Sequence, residues 1–123
     1  MFEEPDFGMW AGDTDPVWAA GPPTTQVAFP GMALSQGRSL LRQIQRLGLT
    51  GVGADAEIDI IRSGTDLAEF YRLSQAALAL PKVQAGALSP AEATAIVERP
   101  ADDDFLACGF VHIGVWGQRP PTE

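Results

Sequence analysis

The sequence predicts an α/β fold. Residues 38–47 carry the apolar period of an amphipathic helix, and residues 54–62 alternate between apolar and polar side chains as a half-exposed strand does. Near the end of the chain, Phe105 to Trp116 carry apolar or small side chains on both faces. A strand of that kind needs a covering layer on each face and a paired neighbour on each side.

Composition restricts the classes of partner. The 123 residues, 46% hydrophobic and 20% charged, are typical of one globular domain, and Cys108 is the single cysteine. A formal net charge of -8 repels nucleic-acid phosphates and anionic membrane surfaces. No apolar run approaches the roughly 20 residues that cross a bilayer, and the acidic start MFEEPDFGMW is unlike a secretory signal. We therefore expect a soluble cytoplasmic protein without a nucleic-acid or membrane partner.

Residues 1–34 predict an irregular arm. They hold five of the ten prolines and no Lys or Arg. Pro22 and Pro23 each lack a backbone donor, so a central strand is not expected there. The arm also carries large apolar side chains, Trp10 and Trp18 among them. We expect it to lie extended against an apolar surface.

The helix of about 38–47 has an apolar face formed by Leu40, Leu41, Ile44 and Leu47. Three arginines at spacing four form its opposite, solvated face. In the strand of about 54–62, Ala56, Ile58 and Ile60 point one way and Glu57 and Asp59 the other, which predicts one wet face near a sheet edge. The GVG sequence at 51–53 follows a helix and precedes a strand, the reverse of the order in a phosphate-binding loop.

Two more helices and the closing strand follow. Thr65 opens a helix of about 66–80 that Pro81 is expected to end. Ser89 to Glu92 has the sequence of a capping box with proline at the first helical position, which predicts a helix of about 90–98. The acidic turn of residues 102–104 is interpreted as a solvated loop rather than a metal site. The closing strand is expected at about 105–116.

No catalytic, cofactor-binding or metal-binding residue can be assigned from motifs. The sequence contains no HExxH, CxxC, GxSxG or GxxxxGK[ST] pattern. The single histidine, His112, lies within the closing strand and is interpreted as a core histidine with a satisfied hydrogen bond. A small enzyme of unrelated class with a pocket around His112 or the acidic residues stays open as an alternative.

Four stretches together resemble the C-terminal half of bacterial class I S-adenosylmethionine-dependent methyltransferases. EEPDFG at 3–8 resembles the segment after the fifth strand of that fold, and residues 37–65 resemble its last crossover helix and sixth strand. Residues 68–78 with 86–107 resemble the helical insertion that follows. FVHIGVWGQRP at 110–120 resembles the seventh strand, which in that fold runs antiparallel between the fifth and the sixth.

The resemblance implies a partial Rossmann-like methyltransferase sheet. After the arm of 1–34, residues 35–120 would supply the crossover helix and an antiparallel pair, strands six and seven, with a two-helix insertion between them. The family uses S-adenosylmethionine and a small-molecule acceptor, but its glycine-rich cofactor turn is not encoded here, so this chain alone is expected to bind no cofactor. The candidates for lining a substrate pocket are Glu4, Asp6, Trp10, Phe70 and Tyr71.

Two hypotheses of function remain open, and with them the question of whether the chain is an enzyme. In the first, it is a fragment of a small-molecule methyltransferase, inactive alone and lacking its N-terminal half. In the second, it is a non-enzymatic binding or dimerisation module that completes a sheet with another chain, for example as a homodimer. Either way, we expect marginal stability or association.

Overall fold

Three strands form one antiparallel sheet in a computed structural model that describes residues 2–121. The strands are β1 (Phe2–Asp6), β2 (Thr50–Arg62) and β3 (Leu106–Gln118), in the order β1-β3-β2. Because β3 is antiparallel to both neighbours, β1 and β2 run parallel to each other. The mixed α/β class and the antiparallel pairing of the last two strands are therefore confirmed. Met1, the first residue of the predicted arm, lies outside the described residues.

Within residues 2–121, six α-helices connect and cover the strands: α1 (Gly8–Ala11), α2 (Pro16–Ala19), α3 (Gly21–Ala28), α4 (Gln36–Arg46), α5 (Asp66–Gln84) and α6 (Pro90–Glu98). A 3-10 turn, Arg99–Ala101, leads toward β3. Helices α1 to α4 lie between the parallel strands β1 and β2, and α5 and α6 form an insertion between β2 and β3. Each helix and strand predicted after residue 34 is present, with bounds that differ by a few residues.

The prediction of an irregular arm is wrong for residues 2–28, which form β1, α1, α2 and α3. Prolines stand in the first turns of α2 and α3, where a missing amide donor costs nothing because the first helical amides have no partner within the helix. Asp15 caps α2 by accepting from the amides of Val17 and Trp18. The arm's apolar side chains do reach an apolar surface, since Trp10 and Trp18 are buried.

Pro81 does not end α5, as the sequence had predicted, but lies inside it. The helix continues for one more turn and ends at Gln84, and Gly86 follows its C-cap with a φ of 73°, in the left-handed region that favours glycine. A hydrogen bond from the buried Lys82 side chain to α3 holds this extra turn in place. Lys82 is 1% exposed, and its Nζ donates to the Gly21 carbonyl of α3 at 3.0 Å.

One face of the sheet, the covered face, lies under α1, α2 and α5. Its core is an aromatic cluster that includes Trp10, Trp18, Tyr71, Phe105 and Phe110. The Trp10 and Trp18 rings stack with centroids 4.7 Å apart, and the Trp18 indole donates to the Cys108 carbonyl at 3.0 Å. Asp13 accepts from the Cys108 amide at 3.0 Å. Side chains from the first helices therefore bind backbone groups of β3 beyond the end of β1.

The other face, the open face, is covered only by α4 in the part of the chain that the structure describes. Leu40 and Ile44 of this helix are buried against Val115 of β3. Toward β2 the apolar side chains lie in solvent: Ile58, Ile60 and Leu106 are 36%, 53% and 56% exposed. The prediction of a single wet face for β2 is therefore wrong: Glu57 is exposed as expected, but Ile58 and Ile60 on the other face are exposed as well.

Candidate functional site

A cleft of about 330 Å³ lies at the carboxyl end of β1, between the first helices and the start of α4. Its lining is mostly apolar and comes from Phe7, Ala11, Pro22, Pro23 and Leu34, with Gly8, Gln26, Ser35 and Arg38 completing it. The Phe7 amide donates to the Leu34 carbonyl at 3.0 Å, which ties the loop before α4 to the end of the strand. In open α/β sheets, the carboxyl ends of strands are where ligands usually bind.

Arg38 lies at the polar end of this cleft and is paired with Asp6, which does not line the cleft itself. The Arg38 Nε donates to Asp6 Oδ2 at 2.6 Å and its Nη2 to Oδ1 at 2.8 Å, so the pair is bidentate. The Gly8 amide adds a third hydrogen bond to Oδ1 at 2.7 Å. The hydrogen bond from Arg38 holds the pKa of the Asp6 carboxyl below its usual range. Asp6 therefore stays ionised, and its main effect is to orient the guanidinium.

Gly8 makes room for this pair. A Cβ at position 8 would collide with Arg38 Nη2 and approach Asp6 Oδ1 to 2.9 Å. Any other residue would push the guanidinium away from the carboxylate. The geometry of the ion pair thus depends on a glycine two residues after the aspartate, within the EEPDFG sequence.

A second polar cluster lies on the covered face, where β2 and β3 change register. Asp59 alone lies opposite Gly109 and Phe110, which makes a β-bulge. The Phe110 amide donates to the Tyr71 hydroxyl at 2.8 Å, and that hydroxyl donates to Asp59 Oδ2 at 2.7 Å. The same carboxylate oxygen lies 3.2 Å from the His112 Nε2. A carboxylate, a phenol and an imidazole therefore meet at the bulge.

This cluster suits structural hydrogen bonding better than acid–base chemistry. Burial, followed by the hydrogen bond to the Asp59 carboxylate, raises the pKa of Tyr71 far above its usual range, so its hydroxyl remains protonated. The side chain of His112 is 38% exposed and has Asp59 as its partner. This arrangement agrees with the interpretation of a histidine whose hydrogen bond is satisfied, although it lies at the edge of the core rather than deep inside.

The five sequence-predicted pocket residues do not meet in one place. Asp6 lies at the cleft, while Trp10 is 3% exposed in the aromatic cluster and donates to the Trp18 carbonyl at 2.8 Å. Tyr71 contacts Trp10 within the aromatic cluster at a ring-centroid distance of 5.3 Å and also takes part in the bulge cluster. The Phe70 ring lies 5.5 Å from that of Tyr71, but Phe70 is 55% exposed on α5. Glu4 is half-buried in β1, opposite Ile113.

Sequence reasoning missed Arg38 and Asp59 as partners of the candidate residues. Arg38 was grouped with the solvated arginines of its helix, and nothing local links it to an aspartate 32 positions away. Asp59 could have been found, because the expected antiparallel pairing of the two strands brings an acidic residue near His112. The register needed to align them depends on the bulge, which has no clear signal in the sequence.

Within residues 2–121, no group of three His, Cys, Asp or Glu side chains is arranged to hold a metal ion. Two aspartates of the acidic turn, Asp102 and Asp104, bind Arg99 at 2.9 and 3.0 Å. Asp15 binds the same guanidinium at 2.7 Å, which ties the start of α2 to this turn. In the same range, none of the helices combines the length and apolar character needed to cross a membrane.

Comparisons with known proteins return no match: no family model, no curated protein and no solved structure is similar to this chain at the significance required.

Proposed function

We propose that this chain forms the C-terminal, acceptor-side part of a class I S-adenosylmethionine-dependent methyltransferase that acts on a small molecule. The observation that carries the proposal is the order and direction of the strands. A reversed strand, β3, lies between two parallel strands, β1 and β2. The resemblance of the sequence implies this order for strands five, seven and six of the methyltransferase fold. We take β1 as strand five, although the resemblance had placed residues 3–8 just after that strand.

The connections support the same assignment. Of the four helices between β1 and β2, α4 is the last: it packs against β1 and β3 and leads into β2, and a helical insertion joins β2 to β3. Parallel strands of one sheet need a crossover connection, whereas a simple meander of three strands would have a reversed strand second in the chain and not last. Within residues 2–121, β3 is the only strand that pairs with β1, so the other edge of β1 is free to continue a larger sheet.

The residues present do not fit an S-adenosylmethionine site. The GVG sequence at 51–53 lies at the start of β2, with Gly53 under the Trp116 ring, and it does not open a helix. A cofactor turn needs a glycine-rich connection from a strand into a helix N-terminus. We assign the chain to the acceptor side for this reason, and no step of methyl transfer is derived from its residues.

The experiment is to express the chain together with the coding sequence directly upstream of it and to titrate both proteins calorimetrically with S-adenosylhomocysteine. We expect the longer product to bind one equivalent and the chain alone to show no heat of binding. An upstream region that encodes no strand, glycine-rich turn and helix, or a longer product that binds nothing, would contradict the proposal.

A second candidate function is a module that completes a sheet with another chain. The outer edge of β2 favours it, because no strand pairs with that edge in the described part of the chain and Asp55 and Glu57 on it are exposed. Two copies paired antiparallel about Ala56 would place Asp55 opposite Glu57 of the second copy, which is unfavourable. The charge pattern therefore fits a strand that carries Lys or Arg better than a homodimer formed at this edge.

Fluorescence anisotropy with labelled peptides tests this second candidate. We expect a peptide of alternating Val and Lys to bind more tightly than one of alternating Val and Glu, and the preference to weaken in high salt. Equal affinities for the two peptides would remove the candidate. Light scattering on the chain alone tests whether copies associate through any other surface.

A further inference from the structure

We infer that the cleft at the carboxyl end of β1 binds a small molecule with an apolar body and a carboxylate, and that Arg38 holds the carboxylate. The assignment of this molecule as the methyl acceptor rests on the proposed function, but its binding does not. The cleft, of about 330 Å³, is at the lower end of the roughly 300–1,000 Å³ that ligand sites occupy, which limits the ligand to a small one.

The apolar part of the cleft is built from rigid groups. Pro22 and Pro23 have fixed φ angles, and Pro22 is fully buried at its base. Phe7 is fixed by edge-to-face contact with the Phe110 ring at a centroid distance of 4.6 Å. Because these walls are held before any ligand arrives, little conformational entropy is lost when an apolar group enters.

The polar part of the cleft is the free edge of a guanidinium. Arginine has five N–H donors, and Asp6 uses only the one on Nε and one on Nη2. The donors that remain lie along the edge formed by Nη1 and Nη2, which matches the two oxygens of a second carboxylate. Among the described residues, Nη1 makes no hydrogen bond within the protein, and the Arg38 side chain is 60% exposed.

The surroundings favour an anion with an apolar body over a cation. No Asp or Glu lines the cleft. Asp6, which lies behind the guanidinium, has a side chain that is only 6% exposed and is saturated by Arg38 and Gly8. Asp6 therefore acts as a positioning residue that fixes the plane of the guanidinium, and Arg38 is the group that touches the ligand.

Phenylacetate is a suitable probe, with phenylacetamide as the neutral isostere and inorganic phosphate as the anion without an apolar body. Each is titrated into the isotopically labelled chain, and amide shifts are followed by NMR. We expect shifts at Phe7, Gly8 and Leu34 with phenylacetate, and binding about tenfold weaker with phenylacetamide because the charge-assisted bonds are lost. Phosphate is expected to bind more weakly than phenylacetate.

Three variants locate the site. Leu34→Trp, in the loop before α4, fills the cleft without touching the ion pair and should abolish the shifts, whereas Leu41→Trp, in α4 and outside the cleft, should leave them unchanged. Arg38→Lys keeps the positive charge but loses the paired N–H donors of the guanidinium, so we expect phenylacetate to bind at least about fivefold more weakly. Near-UV circular dichroism confirms that each variant is folded.

The inference is overturned if phenylacetate and phenylacetamide bind equally, if Leu34→Trp binds as the parent does, or if phosphate binds as well as phenylacetate. Binding of phenylacetate by the chain, together with an upstream region that encodes no cofactor turn, would reject the proposed methyltransferase and keep the site. Methyl transfer by the longer product without phenylacetate binding would support the proposed methyltransferase and reject the site.

Discussion

The covered and open faces of the sheet differ in how β3 is buried. On the covered face, Trp18 and Tyr71 are both fully buried and their polar groups bind the backbone of β3. On the open face, α4 buries Val115, but Ile60 and Leu106 remain more than half exposed. The same strand thus has one face sealed by aromatic side chains from three helices, α1, α2 and α5, and one face that α4 covers in part.

The difference teaches where the free energy of folding comes from. Apolar burial contributes roughly 25 cal/mol per Å² only where another layer removes the surface from water. The chain meets that condition on the covered face, whereas the exposed isoleucines of β2 contribute little. An exposed apolar strip beside a free strand edge is typical of a surface that meets another layer.

The largest expected effect is the loss of Trp18. Its side chain stacks on Trp10, contacts Phe105 at a ring distance of 5.2 Å and donates to the Cys108 carbonyl. We expect Trp18→Ala to lower the free energy of unfolding by about 3–5 kcal/mol, measured by urea denaturation. Ile60→Ala, on the open face, should cost about 1 kcal/mol or less. Similar losses in the two variants would contradict the contrast between the faces.

Whether the sequence predicts a region depends on how far apart along the chain its interacting residues lie. Helix α6 could be predicted closely because its capping box is local: the Ser89 hydroxyl accepts from the Glu92 amide at 3.1 Å, and Glu92 Oε1 accepts from the Ser89 amide at 2.9 Å. Strand β2 could be predicted from its alternation and β3 from the apolar or small side chains on both of its faces, whereas β1 was missed. The prolines near the N-terminus predict an irregular arm, although Pro16, Pro22 and Pro23 occupy first helical turns, where proline is favoured.

The candidate sites could be predicted less well because they join distant positions. Asp6 was identified as a pocket candidate, but the cleft depends on Arg38 and on two prolines of α3. The exposure of Ile58 and Ile60 was also not predictable, since alternation says which side chains share a face and not which face is covered. That choice depends on where α4 and α5 are placed.

The second effect concerns the bulge on the covered face. A Cβ at Gly109 would collide with the Tyr71 hydroxyl and approach Ile61 Cδ1 to 2.9 Å. We expect Gly109→Ala to cost about 2–3 kcal/mol, because Tyr71 must leave the Phe110 amide and Asp59 in a fully packed core. The change should also shift the imidazole signals of His112 in NMR spectra.

Gly31→Ala is the matched control, since a Cβ there meets nothing within 4 Å. Its free energy of unfolding should stay within about 0.5 kcal/mol of the parent. If Gly109→Ala behaved like Gly31→Ala, the close contact between Tyr71 and the bulge would be refuted.

The third effect tests how closely α4, the helix on the open face, packs against β1. A Cβ at Gly37 would approach the Glu4 carbonyl oxygen to 2.8 Å and the Pro5 carbonyl carbon to 3.0 Å. We expect Gly37→Ala to cost about 1–2 kcal/mol: α4 must move away from β1, while alanine's better helix propensity, worth about 1 kcal/mol, offsets part of the loss. A stabilised variant in urea denaturation would show that α4 does not lie this close to β1.

The smallest effect concerns a buried charge near the C-terminal end of α5, where this helix packs on α3. Burial lowers the pKa of Lys82 to about 8, against 10.5 for an unperturbed lysine. Below pH 8 both folded and unfolded chains carry this proton, and between about 8 and 10.5 only the unfolded chain keeps it. Stability from this group therefore rises with pH through that window, by on the order of 1 kcal/mol between pH 8 and 9.

Lys82→Met, which keeps the length of the side chain, isolates this contribution. Burial also raises the pKa of Tyr71 and of Cys108, and those groups lower stability as the pH rises, but they do so equally in both proteins. The parent's free energy of unfolding minus that of the variant should therefore be constant below pH 8 and increase toward pH 10.5 in urea denaturation. Parallel pH profiles would mean that the Lys82 ammonium reaches water, and that the covered face is less sealed than the burial of its side chains indicates.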